Sequence, residues 1–205
     1  LGQAVKKTDP DLSAALFREA SAVAKPEITN PIILADGAEA QLAGAAEGGS
    51  EAAGRKEKAA QLYRDLLKWH PRAGQKDRAL AALGGMAMES GDTKTALEYY
   101  TRLERDTPWS SLMGDVLTAR AQIEIKAGNT EAATEAYTRL LAAENVAGKL
   151  KAQTLLALGE LEMSRDRPQT AIPYYQRIYI LYGKWRDTVA KAYLRSGEAF
   201  EQLND

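Results

Sequence analysis

Small and apolar residues recur along the chain at i, i+4 and i+7, the spacing that places side chains on one face of a helix. Tyrosines mark the pattern best: Tyr63, Tyr100, Tyr137 and Tyr175 lie 37, 37 and 38 residues apart. Four residues before each stands Ala59, Ala96, Ala133 or Ala171, and three after each stands Leu66, Leu103, Leu140 or Ile178. Pro71, Pro108, Asn145 and Gly183 then stop the helix. A second set keeps step upstream: Gly84, Ala121, Gly159 and Gly197, the first three preceded by Leu80, Leu117 and Leu155. Gly91-Asp92, Gly128-Asn129 and Asp166-Arg167-Pro168 separate the two sets. One period therefore reads helix, tight turn, helix, loop. The small residue on the first helix lets the second approach closely. Such a hairpin cannot bury both of its faces alone, so it stacks on its neighbours.

The N-terminal third is less regular. Asp9 to Lys25 reads as a helix, with Asp9 or Asp11 as cap and Pro10 in the first turn. Phe17 and Ala20 fit the tyrosine and leucine places of a degenerate repeat. Pro26 to Pro31 is a loop, Ile32 to Glu47 an alanine-rich helix, and Gly48-Gly49-Ser50 a break before a helix from Glu51 to His70. The last predicted helix, 185–203, is the first half of a hairpin whose second half is missing. The count is about ten helices. Residues 1–73 form degenerate repeats and residues 74–205 a regular array ending in a capping or truncated helix.

The regular places resemble the tetratricopeptide repeat family. That family has small residues at its eighth and twentieth positions, an aromatic at the twenty-fourth and a proline near the thirty-second. Gly84, Ala96, Tyr100 and Pro108 match, as do Ala121, Ala133 and Tyr137, then Gly159, Ala171 and Tyr175. Ala59, Tyr63 and Pro71 match the second half of an earlier repeat, and Gly197 and Phe200 the first half of a later one. The period of 37–38 is longer than the family's usual 34, with the extra residues in the loop between repeats. Leucine fills the usual aromatic fourth position in three repeats. The resemblance implies an all-α, right-handed αα-solenoid of helical hairpins. The long period is similar in style to bacterial envelope members of the family, which leans the expected location toward the periplasm or envelope.

Composition agrees with helices. Alanine makes up 37 of 205 residues, and it is the best helix former because it loses no side-chain entropy. Much of it sits at the periodic small-residue places. The remainder, concentrated from Ala35 to Ala60, has helix propensity as a sufficient reason. Charged residues at 27% and apolar residues at 45% are ordinary for a folded protein. The absence of cysteine excludes disulfides, zinc-thiolate sites and a cysteine nucleophile. One histidine leaves any Ser-His-Asp triad dependent on His70. A net charge of −1 with pI near 6.0 argues against a general nucleic-acid binder. No apolar stretch approaches the roughly 20 residues of a membrane span. The chain opens on Leu1 rather than methionine, so the expectation is a processed chain or a segment of a longer one.

No constellation of catalytic residues emerges. Gly84-Gly85 and Gly48-Gly49 follow no strand, so neither reads as a phosphate loop. His70, between Trp69 and Pro71, reads as a C-terminal helix histidine favouring the dipole. Trp69, Trp109 and Trp185 occupy related places and are expected as packing wedges between repeats. Arg102, Arg139 and Arg177 each follow a repeat tyrosine by two and are expected to face outward, with Glu98 and Glu135 as i, i+4 partners. Tyr174, Tyr175, Tyr179 and Tyr182 form the densest aromatic cluster, expected mainly to pack on the last helix. No metal, cofactor or catalytic residue is expected.

The family resemblance puts the functional surface on the concave face built by the first helices. There the regular repeats offer Arg78, Ala81, Ala82, Met88 and Glu89, then Asp115, Thr118, Gln122, Ile125 and Lys126. They continue with Gln153, Leu156, Glu160 and Met163, then Lys191, Leu194, Arg195 and Glu198. Met88, Ile125, Leu156, Met163 and Leu194 form an apolar stripe suited to a peptide or amphipathic helix. The lysine, asparagine and arginine clamp of chaperone-binding relatives is missing, with alanine or glycine at Ala81, Gly85, Ala119 and Ala157. The expected function is a non-enzymatic scaffold for a protein or peptide partner, with no nucleic acid and no membrane span. The alternatives are an accessory domain of a larger enzyme and a module that self-associates through its unfinished last repeat.

Overall fold

The computed structural model describes residues 10–23 and 25–204. Among them are ten helices and no strand. Two compact units divide the chain, Leu1–Ser110 and Ser111–Asp205. The first holds α1 (Pro10–Ala22), α2 (Pro31–Ala46), α3 (Ala52–Trp69), α4 (Lys76–Glu89) and α5 (Thr93–Asp106). The second holds α6 (Met113–Lys126), α7 (Thr130–Ala142), α8 (Gly148–Ser164), α9 (Pro168–Leu181) and α10 (Arg186–Asn204). The boundary at 73/74 drawn from the sequence marks a change in repeat regularity; compactness divides the chain elsewhere. Most predicted ends fall within a residue or two of these. Helix α1 stops earlier than expected, at Ala22, because Pro26 disfavours helical backbone in the residue before it. Asp9, named as a possible cap, lies outside the described residues.

Helix partners follow the repeat. In each compact unit the helices pair as hairpins, α2 with α3 and α4 with α5, then α6 with α7 and α8 with α9. Helix α1 packs on α2, and α10 packs on α9 and α8. The turn inside three of the hairpins has one chemistry. Asp92 N–H donates to the Ala87 carbonyl at 2.9 Å while Gly91 N–H donates to Met88. Asn129 and Gly128 repeat this on Glu124 and Ile125, and Arg167 and Asp166 on Glu162 and Met163. This crossed pair satisfies the last carbonyls of a helix and demands a left-handed residue just past it. Gly91 and Gly128 supply it with φ of 82° and 78°. At the third turn Asp166 takes the same conformation at φ 57°, a region aspartate visits more readily than most side chains.

Packing inside a hairpin centres on one contact. A methyl group added to Gly84 would overlap the Tyr100 ring, and one added to Gly159 would overlap the Tyr175 ring. In these two hairpins the tyrosine of the second helix thus lies against a glycine of the first, and in the α6–α7 hairpin Tyr137 shares a buried cluster with Ala121. Tyr175 is fully buried, and Tyr100 and Tyr137 nearly so. Alanines 59, 96, 133 and 171 are wholly buried one turn before each tyrosine. Below them Leu66, Leu103, Leu140 and Ile178 are also inaccessible to solvent. One cluster in the second unit gathers Ala152, Leu155, Ala171, Tyr175, Ile178, Ala192 and Ala199 from α8, α9 and α10.

The N-terminal alanines are core residues, which corrects the reading of them as propensity alone. Ala35, Ala38, Ala40, Ala45, Ala59 and Ala60 are all buried. Helix α2 is covered nearly all round: Leu34, Ala35, Asp36, Gly37, Ala38, Ala40, Gln41, Gly44 and Ala45 are inaccessible or almost so. It lies against α1 and α3. A methyl on Gly37 would come within 2.7 Å of Ser21 Cβ on α1, so small side chains are what let α1 approach.

The glycine–tyrosine contact makes a measurable contrast. Replacing Gly159 by alanine should lower stability by about 1–3 kcal/mol, because the added methyl meets the Tyr175 ring. Replacing Gly197, whose surroundings are open, should raise stability by about 0.5–1 kcal/mol through helix propensity. Urea denaturation midpoints of the two variants test this difference in sign.

Candidate protein-interaction surface

The surface expected from the repeat register is carried by α4 in the first compact unit and by α6, α8 and α10 in the second. Glu89, Asp115, Gln122, Ile125, Lys126, Gln153, Glu160, Lys191, Leu194 and Arg195 are exposed. Arg78, Met88, Leu156, Met163 and Glu198 are half-buried. The apolar stripe therefore divides. Ile125 and Leu194 stand in solvent at 39% and 63% exposure. Leu156 and Met163 lean on the α8–α9–α10 core, and Met88 Sδ accepts the Tyr100 hydroxyl at 3.4 Å.

Ion pairs set the shape of this surface. In the second unit Arg195 on α10 reaches Glu160 on α8 at 3.2 Å and Glu198 at 2.8 Å. Those two carboxylates hydrogen-bond the guanidinium and hold its pKa above the ordinary arginine value. All three side chains keep a large part of their surface in solvent, so the pairs orient side chains more than they stabilise the fold. In the first unit Arg78 on α4 binds Asp36 at 2.8 Å and Glu39 at 2.5 Å on α2. Burial opposes the charge of Arg78, but the hydrogen bonds from Asp36 and Glu39 outweigh it and its pKa rises. Asp36 is only 5% exposed, and a buried carboxylate without a cation would be costly. Burial first, then the Glu39 charge, pushes the neighbouring Tyr63 hydroxyl up as well.

Arg165 closes the α8–α9 turn. Its guanidinium pairs with Glu162 at 3.1 Å and Glu131 at 2.6 Å and also donates to Thr130. In the preceding repeat the buried Glu124 has the matching role, accepting from Asn129 Nδ2 at 2.9 Å. Arg102 pairs with Asp106 at 3.5 Å and not with Glu98.

The remaining candidates resolve one by one. His70 ends α3, and its Nε2 lies 2.8 Å from the Pro26 carbonyl, which fixes Nε2 as the donor. This ties the end of α3 to the loop before α2, a long-range bond no local pattern announces. Tyr179 stacks on Tyr193 of α10 with centroids 4.4 Å apart and planes 4° from parallel. Tyr182 tilts against Trp185 at 5.8 Å. The tyrosine cluster does pack on the last helix. Of the tryptophans, Trp185 is a wedge: its ring covers Gly148, where an added methyl would sit 2.6 Å from Cη2. The other two depart from the expectation. Trp109 is 77% exposed and Trp69 is 45% exposed with Lys68 Nζ 4.6 Å above its ring. Among the described residues no glycine lies against either ring as Gly148 lies against Trp185.

Sequence reasoning missed Asp36 and Glu39 as partners of Arg78. A signal was present: Asp36 is the sole charge in the run Ile32 to Ala38, and a carboxylate amid apolar residues calls for a cation. Among the described residues no group of three or more His, Asp or Glu side chains could hold a metal ion. No helix among them is long and apolar enough to cross a membrane.

No family model and no curated protein matches the sequence. Solved structures do match. One is a thermophilic tetratricopeptide repeat protein of Thermus thermophilus, similar with a TM-score of 0.50 and 20% identity over 94% of this chain and 93% of that one. The fold is therefore of the tetratricopeptide type, an all-α helical repeat.

One buried group tests how the repeat tyrosines are held. The Tyr175 hydroxyl is buried without a hydrogen bond, and burial, then the Glu160 charge, pushes it up to about 12. Tyr175→Phe should therefore raise stability by about 1 kcal/mol by removing an unpaired polar atom. Tyr100→Phe, which gives up the bond to Met88, should gain nothing. Thermal melts of the two variants compare them directly.

Proposed function

We propose that the chain is a non-enzymatic interaction module that binds a protein or peptide on the concave face of its first helices. The observation that carries the reading is in the second compact unit. There α6, α8 and α10 each present exposed polar side chains beside accessible apolar ones: Gln122 with Ile125, Gln153 with half-buried Leu156, and Lys191 with Leu194. Mixed surfaces of this kind suit an extended or helical peptide. No cofactor is needed. The long repeat period supports a setting in a bacterial envelope assembly.

Replacing Gln122 and Glu160 together by arginine should abolish partner recovery in a pull-down while far-ultraviolet circular dichroism stays unchanged. Recovery at the wild-type level would move the contact off this face.

A second reading, self-association through α10, has its own observation. Tyr193, Gly197 and Phe200 occupy the places of Leu80, Gly84 and Ala87, which α5 covers in the first unit. On α10 the same places are exposed, with Tyr193 at 59% and Phe200 at 46%. Light scattering across a concentration series should then show a dimer that Tyr193→Lys dissociates. A strict monomer at high concentration removes this reading.

A further inference from the structure

We propose that a cavity of about 600 Å³ at the start of α10 is an anion-recognising subsite that takes an acidic peptide segment with an apolar side chain. The proposal rests on the reading above and deepens it, because Lys191 and Leu156 line the cavity and also belong to the expected partner surface.

Charge is the first argument. Lys149 on α8, Lys184 and Arg186 at the loop into α10, and Lys191 on α10 all line the cavity, against the single carboxylate of Asp187. All four cations are exposed and none has an ion-pair partner among the described residues. Two other cations of the same unit are held differently. Arg165 and Arg195 are each held by two carboxylates. The chain as a whole carries 27 cations and 28 acids, so four cations around one cavity with a single acid are a local excess of positive charge. The cavity between α3, α4 and α5 shows the opposite arrangement: its cations Lys56 and Arg64 are neutralised by Glu89 and Glu57 at 2.6 and 2.5 Å.

Helix electrostatics sharpen the point. The N-terminus of a helix carries partial positive charge and favours acidic side chains. Helix α10 spans 19 residues and opens at Arg186, with Lys184 two residues before it. These cations work against the helix that carries them. An anion in the cavity would relieve that repulsion and meet both the side-chain charges and the helix end.

Rigidity is the second argument. Trp185 forms one wall, and its place is fixed from three sides. The ring lies on Gly148, it tilts on Tyr182, and the Trp185 carbonyl accepts from Val189 N–H at 3.0 Å to start α10. Leu156 adds an apolar surface on α8. A preorganised aromatic beside a cation cluster offers one contact for an aliphatic or aromatic side chain and several for flanking carboxylates. This pairing favours an acidic peptide over a simple anion, which would leave the tryptophan unused.

The test is fluorescence anisotropy with a short labelled peptide of Asp and Glu around one Phe. The wild-type chain should bind it saturably, with affinity falling as salt rises. Lys184→Glu with Arg186→Glu should weaken binding by about tenfold or more. That loss cannot come from unfolding, since acids at this helix start favour the helix. Arg72→Glu, an exposed charge reversal in the first unit, should change nothing. Trp185→Leu should erase the difference between this peptide and one with Ala in place of Phe. Undiminished binding by the double charge reversal overturns the proposal, as does tighter binding of single-stranded oligouridine than of the peptide. If the charge reversal spares partner recovery while Gln122→Arg with Glu160→Arg abolishes it, the subsite fails and the broader reading stands. If only the charge reversal matters to both assays, the subsite stands and the broader placement fails.

Discussion

Every hairpin with a regular repeat depends on a tyrosine ring laid against a side chain of nearly zero size. The ring supplies a large apolar area, and a glycine or alanine opposite lets the two backbones approach. Without the small residue the second helix would stand off by the depth of a side chain. The alanine one turn earlier and the branched aliphatic one turn later would then lose their contacts. Three residues at i, i+4 and i+7 therefore act as one packing unit whose register is set by its central ring.

The turns and ion pairs are arranged around this contact. A left-handed residue reverses the chain in the shortest available distance, so the second helix returns along the first with the tyrosine in reach. Where aspartate replaces glycine in that conformation, Arg165 draws the ends of α7 and α8 together through Glu131 and Glu162. In the first unit Arg78 does comparable work between α2 and α4. Buried carboxylates at Asp36, Glu124 and Glu162 are tolerable because each has a donor within hydrogen-bond distance.

The repeated fold was legible because its central contact recurs at nearly constant spacing, and a recurring Tyr-Ala-Leu triplet is hard to confuse with anything but a helix face. Helix α2 was harder to read. A helix buried on all sides loses the amphipathic signature that reveals a half-buried one, so its alanines resembled mere helix propensity. The bond from His70 to Pro26 spans 44 residues and leaves no periodic trace. The tryptophans misled in the other direction. Their related positions suggested a shared role, yet only Trp185 faces a glycine among the described residues. Of the candidate surface, register alone identified which residues stand on the first helices. It did not reveal that Leu156 and Met163 would be drawn partly into the core, since that depends on how α10 seats against α8 and α9.

The open surroundings of Gly197 bear on how the C-terminal unit responds to occupancy. In a helical repeat each element draws its stability from its immediate neighbours. Helix α10 packs on α8 and α9 and leaves Tyr193 and Phe200 exposed. Arg186 opens it, with Lys184 just before and Lys149 and Lys191 lining the same cavity. Anything that neutralises those charges or covers Tyr193 while α10 is packed stabilises that packing by mass action. Were a partner to bind there, the order of α10 and the filling of its surface would be linked, and slowed amide exchange in α10 would register the partner's arrival as directly as the contact itself.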